Sequence, residues 1–116
     1  MIFVHVKHYL NKEGRAYFDA IWYRYIKERI SQQKGFVNIE TSKDVSCENC
    51  VNIVVTFENH EMLMAWVEHT DHQKVIHDLD VYRTKGQRWH VSLDGSVPDL
   101  ELWDGVLNFS DGATSE

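Results

Sequence analysis

The chain has 116 residues, 43% of them hydrophobic and 12% aromatic, enough apolar material for one domain with one core. Residues 1–93 hold all 12 Lys and Arg against 12 of the 18 Asp and Glu, so the body is neutral and nothing in it suggests a phosphate-binding surface. No run approaches the ~18 to 20 apolar residues of a membrane span, and the chain opens on a strand-like segment rather than a leader. The expectation is a cytoplasmic protein without nucleic-acid or membrane partners.

Ile2 to Tyr9 reads as a strand, with Ile2, Val4, Val6 and His8 on one face and Phe3, His5, Lys7 and Tyr9 on the other. Lys12 to Lys34 follows as a helix, its apolar positions Phe18, Ile21, Trp22, Tyr25, Ile26 and Ile30 spaced by threes and fours, with Gly35 as its stop. Phe36–Thr41 and Val51–Phe57 read as two further strands. The loop between them carries the two cysteines, Cys47 and Cys50, read as reduced thiols; a redox pair or a metal half-site completed by a partner is the alternative.

Asn59 caps a short helix with the apolar stripe Met62, Leu63, Trp66 and Val67, and Thr70 with Gln73 forms a capping box opening another. In this last helix His72 shares a face with Val75, Ile76 and Leu79. Tyr82 to Leu93 completes the order β-α-β-β-α-α-β. That is an α+β domain of the ferredoxin-like, split β-α-β kind, a four-stranded antiparallel sheet with helices on one face. The uncovered sheet face calls for a second copy, so a homodimer is expected. Residues 1–93 form this domain, and residues 94–116 an acidic extension in which Asp104-Gly105, between two apolar runs, signals a short β-hairpin.

The opening strand, the long helix ending in Lys34-Gly35-Phe36, and Trp66 followed six residues later by His72 resemble the antibiotic biosynthesis monooxygenase family, over roughly residues 1–92. The resemblance implies a dimeric α+β barrel with a pocket between each sheet and its own helices. It also implies oxidation of a phenolic or quinol-like small molecule by molecular oxygen, with no metal or flavin cofactor. The residues suited to that chemistry are Trp66 as an aromatic wall, His72 or His77 as a proton shuttle, and Lys7 or His5 as an oxyanion stabiliser. Phe3, His5, Tyr25 and Trp66 would contact the substrate.

Each has a plainer reading beside it: Trp66 with Met62 and Leu63 as core, His72 as a structural imidazole, Lys7 as a solvated lysine. His8, His60, His69 and His90 are assigned no function. Two rival functions stand beside the oxygenase. A haem-degrading branch of the same superfamily places an asparagine where Lys7 stands and its iron ligand where Ile76 stands, one residue before His77. The other rival is a non-enzymatic, stress-related or ligand-binding dimer whose pocket is filled by Phe3, Tyr25 and Trp66.

Overall fold

A computed structural model describes residues 1–93 and 106–108. Its elements are β1 (Ile2–Leu10), α1 (Lys12–Tyr17), a π-helical turn (Phe18–Trp22), α2 (Tyr23–Ile30), β2 (Phe36–Asp44), β3 (Val51–Phe57), α3 (His60–Val67), α4 (Thr70–His77), a 3-10 turn (Asp80–Tyr82), β4 (Arg83–Ser92) and β5 (Val106–Asn108). The strands form one antiparallel sheet in the order β4-β1-β3-β2-β5. Four of them are the expected ferredoxin-like sheet. β5 adds to its β2 edge, Ser42 opposite Asn108, and the rest of the expected hairpin lies outside the described residues.

The long helix differs from its sequence reading in an instructive way. Its buried positions are Gly14, Phe18, Trp22, Ile26 and Ile30, four residues apart without exception, while Ile21 is 55% exposed. In a 3.6-residue helix each step of four drifts by about 40°, so such a row would wind around to the far side. The π turn takes more residues per turn and brings the row back over the sheet. Phe18 and Trp22 stack at 5.3 Å, and Trp22 Nε1 donates to the Val75 carbonyl at 2.7 Å, tying this helix to α4.

α2 ends at Ile30, earlier than expected, and Gly35 turns the chain into β2 at φ +83°. A side chain there would also collide with Met62 of α3, so the position demands glycine twice over. At α4 the cap is His69, whose Nδ1 accepts from the Asp71 amide at 3.0 Å. The expected Thr70–Gln73 box does not form; Gln73 donates instead to the Val67 carbonyl, bracing the bend between α3 and α4. Asn59 caps α3 as expected, accepting from the Met62 amide at 2.9 Å.

The cysteines depart from the reduced pair that was expected. A turn donating the Cys50 amide to the Cys47 carbonyl brings their Cα atoms to 5.3 Å, within bridging range, and the two are joined as a disulfide. Among the described residues no helix is long and apolar enough to cross a membrane.

Candidate active site

Alternation along β1 and β3 sends Val4, Val6, His8, Ile53 and Val55 toward the helices, and there the sheet does not close against them. A cavity of about 400 Å³ remains between the sheet and the π turn, α2, α3 and α4. Its floor and walls are aliphatic and aromatic, including Trp22, Ile26, Leu63, Trp66 and Ile76. Met64, His60, Gln87 and the 65%-exposed Trp89 lie at its open side. The volume is that of a small-molecule site, roughly 300 to 1,000 Å³, and not of a pocket filled by its own side chains.

Trp66 and His72 meet here. The rings stand edge to face at 5.3 Å, Trp66 buried and His72 partly so. Burial lowers the His72 pKa below the ordinary histidine value, partly offset by the Val67 carbonyl, so at neutral pH the imidazole is an unprotonated base. Its Nδ1 is buried and has no hydrogen-bond partner among the described residues.

Other candidates lie elsewhere. Phe3, His5 and Lys7 have the opposite parity on β1 and face away from the cavity. Lys7 is wholly buried and ion-paired with Asp44, so it is neither a solvated lysine nor a group that can reach a ligand in the cavity. Tyr25 is half-buried against the core but does not line the cavity, and the Arg29 guanidinium lies 3.8 Å over its ring. His77 is 71% exposed and bonded to Asp80 at 2.9 Å; the neighbour that lines the cavity is Ile76, one residue and about 100° earlier on the helix. A haem iron in the cavity would therefore find an aliphatic side chain at the position expected to carry its ligand.

His8 was passed over in the sequence, and it is the most elaborately held polar group in the site. Opposite it the β1–β4 ladder slips twice, Lys7 pairing with Arg88, Tyr9 with Lys85 and Leu10 with Arg83, so β4 bulges around this stretch. Arg83 then reaches three acceptors: His8 Nδ1 at 3.0 Å, the Ile76 carbonyl at 3.1 Å and Asp80 at 2.9 Å. Trp22 stands edge-on to the His8 ring at 5.6 Å. Burial first, then the Arg83 charge and His72, push the His8 pKa down to about 3. The signal available in the sequence was its place as the lone polar residue on the apolar face of β1.

An α+β sheet domain with a largely apolar cavity, open on one side, under its helices is the class these features define. The antibiotic biosynthesis monooxygenase profile matches residues 1–78, and the chain belongs to that family. Solved structures agree on the fold. One classed with these monooxygenases, from Deinococcus radiodurans, superposes with a TM-score of 0.72 at 15% identity, covering 85% of this chain and 97% of its own. SnoaB from Streptomyces nogalater, a cofactor-independent oxygenase, gives 0.69 at 11% identity over 84% and 97%. Rv0793 from Mycobacterium tuberculosis gives 0.68 at 8% identity over 84% and 96%. No curated protein matches the sequence.

Proposed function

We propose that the protein is a cofactor-independent monooxygenase acting on a small planar aromatic, quinol-like molecule. The observation that carries this is the meeting of Trp66 and the unprotonated His72 on the wall of an otherwise apolar cavity of about 400 Å³. Trp66 offers a flat face for a fused ring. His72 takes the proton of the ring hydroxyl, and the resulting anion is electron-rich enough to pass an electron to oxygen. The aliphatic walls keep bulk water from the reactive intermediate. The similarity to SnoaB supports the reading at the level of fold.

The test is oxygen consumption with a panel of quinols and anthrone-like phenols. Wild type should turn over at least one, with kcat lowered about 100-fold or more in His72→Asn. Trp66→Ala should raise KM more than it lowers kcat. Unchanged turnover in both variants would remove the assigned roles, and tight binding without oxygen uptake would make the protein a carrier. The homodimer expected from the sequence belongs to the same reading, and sedimentation should return twice the chain mass.

A further inference from the structure

An aromatic hydroxyl that loses its proton in this cavity leaves a negative charge in an apolar enclosure, and such a charge needs a donor. Among the residues lining the cavity none is a lysine, an arginine or a carboxylate. The polar groups present are His60 and Gln87 at the exposed rim, His8 and His72 deeper in, and the indole N–H groups of Trp22, Trp66 and Trp89, that of Trp22 spent on the Val75 carbonyl. His72 is the base in the function proposed above and Trp66 its aromatic wall, which leaves His8 as the buried donor held by a charged partner.

The hydrogen bonding of His8 fixes which nitrogen carries its proton. Arginine has donors only, so the Arg83 Nη1 contact at 3.0 Å makes His8 Nδ1 the acceptor. The ring proton must then sit on Nε2. Because the donor on Nδ1 is charged, it draws electron density through the ring and makes Nε2–H a stronger donor than that of a free neutral imidazole. Arg83 is itself held by the Ile76 carbonyl and by Asp80, which also bonds His77, and Trp22 sets the plane of the ring. The charged or titratable groups facing His8 are Arg83 from β4 and His72 from α4; neither is a carboxylate that would hold it protonated.

We propose that His8 is the oxyanion-binding group of the cavity, a neutral imidazole whose Nε2–H donates to the ionised hydroxyl oxygen of an aromatic ligand, with Arg83 as the residue that positions it. This rests on the cavity being an aromatic-ligand site. It divides the labour between two imidazoles: His72 has a free nitrogen and accepts the proton, while His8, its acceptor atom occupied, holds the anion.

The experiment uses the whole protein and a nitrophenol, whose phenol and phenolate forms differ in colour. Bound to wild type, the dye should ionise at lower pH, its phenolate-to-phenol ratio raised about tenfold at fixed pH. His8→Phe and Arg83→Met should still bind it and lose most of that enrichment, and His8→Gln, which keeps an N–H donor, should recover part. Nitrogen-15 spectra should show His8 protonated at Nε2 in wild type and as a mixture of tautomers in Arg83→Met, a change that mere loosening of the fold does not produce. Binding without enrichment in wild type, enrichment that survives in both variants, or a proton on Nδ1 overturns the role of His8 alone. Failure of every aromatic dye to bind overturns the cavity reading together with it.

Discussion

On the cavity face of β1, Ile2, Val4 and Val6 leave His8 as the one polar side chain, whereas the opposite face carries His5 and Lys7, both buried, in a sheet surface that continues into Asn52, Ser42 and Asp44. On that opposite face Lys7 is paired with Asp44, and Arg88 donates to the Tyr9 hydroxyl at 3.1 Å. His8 is committed through one nitrogen only, and the other is kept for whatever enters the cavity. A buried polar residue is therefore informative about function when it lines a cavity and its partners leave an atom over, not simply because it is buried.

Breaking the committed side should have the largest effect. Lys7→Ala strands the Asp44 carboxylate in the interior and should lower stability by about 3–5 kcal/mol in urea unfolding. A Lys7→Met, Asp44→Leu pair should recover much of that loss. Nitrophenol affinity measured in the folded protein should be little changed, since neither residue lines the cavity.

Acid should expose the cavity side next. The unfolded chain protonates His8 near the ordinary histidine value of about 6.5, and the folded chain only near 3, so the unfolded state binds more protons in between. Stability is therefore full above that upper value and falls as pH drops, by up to about 1.4 kcal/mol per pH unit from this residue. His72, shifted in the same direction, adds to the slope. His8→Leu should flatten its share, visible as a smaller loss of Tm between neutral pH and pH 4.

The smallest change in stability should come from filling the void. Val6→Phe projects into open space, so its effect should stay below about 1.5 kcal/mol while aromatic dyes lose most of their affinity. A large loss of stability instead would mean that the cavity closes in solution.

The period of two in β1 and β3 made the division into two faces legible in the sequence, and the four strands with them. Which face meets the helices was not, because Val4 and Val6 on one side and Phe3 and Tyr9 on the other both supply apolar surface, and each face carries a histidine. Lys7 and His5 were therefore favoured over His8. The choice between Ile76 and His77 turned on a single helical step. Arg83 could not be found at all, since it acts on a residue 75 positions away through bulges that no local pattern announces. Trp66 and His72 were legible together because their six-residue separation bridges two short helices that share one face.

The four-residue row from Gly14 to Ile30 sets a rule for changing this protein's length. The π turn holds one residue more than an α-helical turn would, so removing one from Phe18–Trp22 would restore an ordinary α-helix with its two halves still nearly in phase. Removing one from Tyr23–Ile30, where no wide turn takes up the change, would instead rotate everything upstream by about 100°. Gly14 would then leave its close approach to Tyr82, and the Asn11 side chain that caps the helix by accepting from the Gly14 amide at 2.8 Å would swing with it. The π turn thus acts as a phase adjuster between two halves of one helix, one half timed to the end of β1 and the other to the cavity. A deletion in α2 would put the two out of step, while one inside the π turn would not.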